Sequence, residues 1–334
     1  MMDILQNMLG RPVRLMIADT GADAALVEAR LRPKMNLIPW RTEKAYAGLK
    51  PGESHGSYVK MIASEFFSSP DLVADVDVTA YQCLDENGSG TSAMIASAVK
   101  HAAATAQDDL NMSLGISFAG DRQREIVRRD LDDCGTGEAG ESLYYDGGGV
   151  VVCAAGNEDR PEDYKRDNIC FPAMYPWAMG LGALKPNGAK SDFSSDGRGI
   201  EEMALGEDYY GIGWLDGTSF ASPVTCGWLA WLKAYVVGEM VTGRQLRRAI
   251  RAVAVHGGAH PHDTWCRDHG YGSLMRPIGM ALSIVKLHRI EAGVTDWVEP
   301  FRIDPIEPDT ARLYVATLRR VLMEAAGAMT DSAR

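Results

Sequence analysis

Short apolar runs alternate along the chain with longer stretches in which apolar residues recur every three or four positions. Runs at 13–18, 76–81, 110–114, 150–155 and 178–183 predict buried strands, and helical patterns at 57–67, 92–106 and 121–131 fall among them. The strands are apolar throughout rather than alternating, the signature of a parallel sheet covered on both faces. In such sheets reactive groups gather beyond the carboxyl ends of the strands. Small and polar residues stand at those ends: Asp19-Thr20-Gly21 after the first strand and Gly156-Asn157 after the run at 150–155. Gly217-Thr218-Ser219 then opens a helix-compatible stretch at 220–237. A final helical pattern at 310–326 carries Ala311, Leu313, Tyr314, Leu318, Val321 and Leu322 at i, i+3/i+4 spacing. We expect a domain at 1–288 and an extension at 289–334.

At 334 residues, 46% hydrophobic and 24% charged, the chain suits one large α/β domain with or without an appendage. The net charge of −11 argues against nucleic acid as a partner, because phosphate binding needs a positive field. It is compatible with basic or neutral polypeptides. The amino terminus shows no basic segment followed by a long apolar stretch, so no secretory signal is read, and no apolar run has the ~20 residues of a membrane span. Six scattered cysteines without paired spacing predict free thiols in a reducing compartment. A cytoplasmic protein with no membrane partner is the expectation.

Asp19, His55 and Ser219 change the picture. A serine hydroxyl is a poor nucleophile unless an imidazole takes its proton and a carboxylate orients that imidazole. The order Asp, His, Ser is that of subtilisin rather than of chymotrypsin or the α/β-hydrolases. Each segment alone has an ordinary reading: Asp-Thr-Gly as a turn, Asn157 as a left-handed closing residue, Ser-x-x-Ser-Pro as a helix cap.

Together the segments resemble the subtilase family. VRLMIADTG at 13–21 resembles the strand that delivers its aspartate, and HGSYV at 55–59 its histidine motif. NMSLG at 111–115 is similar to its substrate-pairing segment, VVVCAAGN at 150–157 to its oxyanion segment, and GTSFASP at 217–223 to its nucleophile motif. FPAMYPWAMGLGA at 171–183, SDFSS at 191–195 and YGSL at 271–274 complete the order, over about 11–286. The resemblance implies a three-layer α/β subtilisin-like fold with a mainly parallel central sheet and a C-terminal helical appendage. It implies Ser219 as nucleophile, His55 as general base and then acid, Asp19 as its orienter, and Asn157 with the Ser219 N–H as oxyanion donors. Ser113, Leu114 and Gly115 would pair with an extended peptide. Ala154, Ala155 and Gly156 would wall the specificity pocket, with Glu158 at the rim and Cys170 near the base. Glu158 would favour Lys or Arg before the scissile bond; a broad apolar preference is the alternative, with Glu158 a solvated rim carboxylate.

Departures are also visible. Ser57 replaces the family's threonine and Tyr58 its next histidine, and the loop before the strand at 76–81 is about three residues short. No acidic ligand set replaces the calcium site that this loop often holds, so a family-type calcium is not expected at this place, and no cofactor is required. His256, His260, His262, Cys266 and His269 match no compact zinc module and read as residues of a turn-rich loop. Only 18 residues precede Asp19, too few for the inhibitory pro-segment of secreted relatives. Restraint is then expected from narrow specificity, a regulatory partner, or docking or self-association through the tail at 298–334. The predicted function is endopeptidase activity through an acyl-enzyme. Alternatives are a dedicated peptide-maturation protease, a transpeptidase, or an idle binding protein on the same fold.

Overall fold

The computed structural model describes residues 5–22, 54–67, 72–85, 87–158, 167–208, 216–254, 265–274, 284, 287 and 307–328. Six parallel strands form one sheet in the order β2-β1-β3-β4-β5-β6. They are β1 (Val13–Asp19), β2 (Val76–Gln82), β3 (Asp109–Met112), β4 (Val150–Ala154), β5 (Ala178–Leu184) and β6 (Ile200–Leu205). The helices are α1 (His55–Ser64), α2 (Ser92–Ala104), α3 (Asp121–Asp133), α4 (Thr136–Glu141), α5 (Thr218–Leu232), α6 (Gly243–Val253) and α7 (Pro308–Ala328). Alternate residues of β1 enter different cores. Val13, Leu15 and Ile17 pack with residues of α1, α5, α6 and α7, whereas Met16 and Ala18 pack with residues of α2, α3 and α4. The expected three-layer α/β architecture is therefore present.

The strand expected at 110–114 is paired only over Asp109–Met112. Ser113 leaves the sheet because its hydroxyl engages α5, donating to the Ser219 carbonyl at 2.7 Å. β6 escaped the hydropathy reading because its sequence, IEEMAL, buries two glutamates. Glu201 is neutralised by Arg247 and Arg251, whose guanidiniums hold its carboxyl below the usual range against the cost of burial. Among the described residues the Glu202 carboxyl has no hydrogen-bond partner, and burial pushes it well above the usual carboxylate range. Helix α6 was likewise unanticipated; it starts at a capping box between Thr242 and Gln245.

Helix α7 lays Ala311, Val315, Leu318, Leu322 and Ala326 into the larger core, while Leu313 is 67% exposed. Its Arg319 Nε donates to the Val236 carbonyl at 2.6 Å, in the one-turn π-helical segment Lys233–Val237 that continues α5. Such a turn frees carbonyls from the regular ladder, and the guanidinium collects them. Among the described residues no helix is long and apolar enough to cross a membrane.

Lys60, on the helix that begins with His55, is 1% exposed. Burial pushes its ammonium down to about 8, with Asp77 opposing part of the shift. The unfolded chain holds that proton up to about 10.5. Between these limits the unfolded state binds more protons, so stability from this group rises with pH. Lys60→Met removes the desolvation cost. In thermal melts it is expected to be more stable at pH 7, by about 3 kcal/mol at most, with the advantage closing as pH climbs from 8 to 10.5. An advantage independent of pH would rule out the ammonium as its source.

Candidate active site

Asp19 ends β1 with its side chain fully buried, and Thr20 N–H donates to its Oδ1 at 2.6 Å. The chain returns to it at α1, where Ser54 is the N-cap and its hydroxyl accepts from Ser57 N–H at 3.1 Å. The Ser54 hydroxyl also donates to the Gly21 carbonyl at 3.0 Å, and Gly56 N–H donates to Thr20 Oγ1 at 3.1 Å. These bonds clamp the start of α1 onto the end of β1. Gly56 has to be glycine, since a Cβ there would lie 1.8 Å from the Gly21 carbonyl oxygen. The clamp places His55 Nδ1 at 2.9 and 3.0 Å from the two Asp19 oxygens. The other side of the imidazole faces α5, with ring centroids of His55 and Phe220 5.4 Å apart.

Ser219 lies in the first turn of α5, beside Phe220, and its hydroxyl donates to the Ser113 carbonyl at 3.3 Å. Asn157 follows β4. Its Oδ1 accepts both Thr218 N–H and the Thr218 hydroxyl, each at 2.9 Å. The backbone donor dictates that the Asn157 amide oxygen faces Thr218, which leaves the Asn157 NH2 on the side away from that N–H. Thr218 Oγ1 in turn accepts Gly156 N–H at 3.1 Å. Asn157 is thus tied to the residue before Ser219, and three hydrogen bonds join the two segments that carry them.

The cleft walls meet on the same helix. The Ser113 hydroxyl accepts from Asn111 Nδ2 at 2.9 Å and lies 2.9 Å from Ser222 Oγ. Gly115 faces Cys170 so closely that a Cβ would fall 2.1 Å from its sulfur. The Cys170 thiol donates to the Ala154 carbonyl at 3.2 Å, and burial pushes it up to about 12, which disfavours the reactive thiolate. Cys170 N–H also donates to the Ala155 carbonyl, and Ser195 N–H to that of Gly156. Leu114 is buried and Glu158 half-buried.

A model of the subtilase family, Peptidase_S8, matches residues 17–272, most of the chain and every segment just described. The chain belongs to the subtilase family. It is 25% identical over 231 residues to subtilisin E of Bacillus subtilis (strain 168), covering 66% of this chain and 55% of that protein. This subtilase therefore spans about half the length of some of the curated relatives it matches. It is 26% identical over 262 residues to subtilisin DY of Bacillus licheniformis, covering 76% of this chain and 87% of the relative. Among solved structures, a lanthipeptide protease superposes with a TM-score of 0.58 at 21% identity, over 81% of this chain and 86% of that one. The protease domain of PatA gives 0.57 at 21%, over 86% and 99%. Prenylagaramide maturation protease PagA gives 0.54 at 19%, over 78% and 90%. These likenesses show the fold.

All twelve residues singled out in the sequence lie within the described part of this subtilase. Asp19, His55, Asn157 and Ser219 converge at the carboxyl ends of β1 and β4 and the amino end of α5. Sequence reasoning overlooked the supports: Ser54, Thr20, the two bonds from Thr218 to Asn157, and Asn168. The Asn168 amide donates to the Glu158 carbonyl at 2.6 Å and its oxygen accepts Asp196 N–H at 2.7 Å, holding the rim in place. A serine just before His-Gly was the one available signal, as a helix cap. Of the loop histidines, His256, His260 and His262 lie outside the described residues, and Cys266 Sγ is 3.9 Å from His269 Nδ1. Among the described residues no group of three or more His, Cys, Asp or Glu side chains is arranged to hold a metal ion.

Proposed function

We propose that this subtilase is a serine endopeptidase that works through an acyl-enzyme on Ser219, with His55 as general base and Asp19 as its orienter. The observation that carries the reading is the His55 imidazole, held by both Asp19 oxygens on Nδ1 and set against the first turn of α5. A carboxylate on Nδ1 fixes the tautomer with its lone pair on Nε2, the form that accepts a proton. Rotation about Ser219 χ1 moves the hydroxyl from the Ser113 carbonyl to that lone pair. Attack on the scissile carbonyl then forms the Ser219 ester bond, and His55 returns the proton to the leaving amine. Water repeats the sequence in reverse.

The developing oxyanion is received by the Asn157 NH2 and the Ser219 N–H, at the positive end of α5. Asn157→Leu is expected to lower kcat about 10²–10³-fold with KM little changed. A loss carried by KM alone would assign Asn157 to ground-state binding instead. No step requires a cofactor or calcium. The backbone of Ser113, Leu114 and Gly115 would bind an extended peptide, with Ala154, Ala155, Gly156 and Cys170 around the side chain before the scissile bond and Glu158 at the rim. A cytoplasmic location is supported by six free thiols, four of them buried.

The test is a fluorophosphonate probe with adduct mapping by mass spectrometry, and Ser219→Ala as control. A single adduct on Ser219 is expected. Absence of labelling in folded protein would favour the idle binding alternative. A second reading, maturation of one peptide precursor, draws on two structural neighbours, a lanthipeptide protease and a prenylagaramide maturation protease. Cleavage of many unrelated proteins in a digest would exclude it, and product masses separate hydrolysis from transpeptidation.

A further inference from the structure

The amino ends of β5 and β6 carry a second concavity, of about 560 Å³, lined among others by Met174, Arg198, Glu201, Arg251, Trp265 and Tyr271. It lies at the opposite ends of the strands from Asp19 and Asn157. Ala178 is level with Val151 and Leu181 with Ala154, so the pocket sits on the order of 15 Å down the sheet from the nucleophile, at ~3.3 Å per residue. Its volume is that of a small ligand site or a side-chain receptacle.

The pocket is built rather than incidental. Arg247, also in its wall, spends its guanidinium on Glu201 and on the carbonyls of Pro176 and Ala178. Arg251 is held by Glu201 through Nε and Nη2 at 3.0 and 2.9 Å and stacks 5.0 Å over the Tyr271 ring, yet its side chain is 33% exposed. Trp265 Nε1 donates to the Ile200 carbonyl at 2.8 Å, which fixes an indole that is still 37% exposed. Arg198 is exposed beside it. Immobilised rings and guanidiniums lose little entropy on binding. Trp, Tyr, Arg and Met are also the side chains that dominate protein-recognition patches. Three guanidiniums against the Glu201 carboxylate leave the lining at a net +2, on a chain whose total is −11. The chain as a whole is acidic, whereas this lining is positive and attracts an acidic segment.

We propose that the pocket is an exosite for an acidic segment of the polypeptide substrate bearing an aromatic side chain. The ring rests on Trp265 and the neighbouring carboxylates meet Arg198 and Arg251. The assignment of that segment to the substrate rests on the peptidase reading above. Binding is measured on the full-length Ser219→Ala protein by fluorescence anisotropy. The probes are fluorescein-labelled Gly-Glu-Asp-Phe-Glu-Glu-Gly and its counterpart with Gln and Asn at the acidic positions, at low ionic strength. The acidic peptide is expected to bind at least tenfold more tightly, and Arg198→Glu and Trp265→Ala each to weaken it at least fivefold. Equal binding of the two peptides, or unchanged binding in both variants, overturns the exosite. With active enzyme, Arg198→Glu leaves hydrolysis of a short peptide unchanged and lowers kcat/KM only when the acidic segment is appended. If the active enzyme cleaves neither peptide while the anisotropy pattern holds, the peptidase reading fails and the pocket stands. Cleavage without any preference for the acidic segment sinks the pocket alone.

Discussion

Ser219→Ala is expected to reduce kcat for a peptide substrate by about 10⁶-fold while KM changes little. The size follows from the unit behaviour of such triads: in the related subtilisin, loss of the nucleophile alone costs about as much as loss of all three members. What remains is the catalysis provided by the oxyanion donors and by substrate positioning. Among the described residues the Ser219 hydroxyl donates to the Ser113 carbonyl, at 3.3 Å, and the side chain is half-buried at a helix start. The thermal midpoint should therefore move by no more than a few degrees. A variant that keeps more than a hundredth of parental turnover would show that another group is the nucleophile.

Asp19→Asn should lower kcat about 10⁴-fold without unfolding the protein. Thr20 N–H, 2.6 Å from Oδ1, requires an acceptor there, so the new amide keeps its oxygen at that place. Its NH2 then occupies the other position, 3.0 Å from His55 Nδ1. A donor facing Nδ1 favours the tautomer with the proton on Nε2, which no longer accepts from Ser219. The loss should appear in kcat and in the rate of fluorophosphonate labelling alike, because both need the same deprotonation. Labelling at the parental rate with depressed turnover would contradict this account.

The parts of the site that could be read from sequence are those that form at strand ends. A fully apolar run stops at a small polar triplet, and β1 does deliver Asp19 from its last residue. The same rule placed Asn157 after β4 and Ser219 at the start of a helix. What was not legible depends on pairing over long distances. β6 contains adjacent glutamates that look like surface until Arg247 and Arg251 are brought over Glu201. The contact of Gly115 with Cys170, and the bonds from Thr218 to Asn157, join segments whose local sequences say nothing of each other. Leu313 fits the helical stripe by spacing yet faces solvent, because the buried face of α7 runs through Ala311, Val315, Leu318 and Leu322.

The bonds that assemble the cleft close wide chain intervals. His55 meets Asp19 across 36 residues, Thr218 meets Asn157 across 61, and Ser219 meets Ser113 across 106. Contacts of such high sequence separation carry a loop-closure cost and are slow to form in a parallel topology. Cleaving power should consequently arrive late in refolding, after most secondary structure. A nascent or half-folded chain would have no means of cutting its neighbours, and the return of turnover would time the final docking of α5 against the sheet.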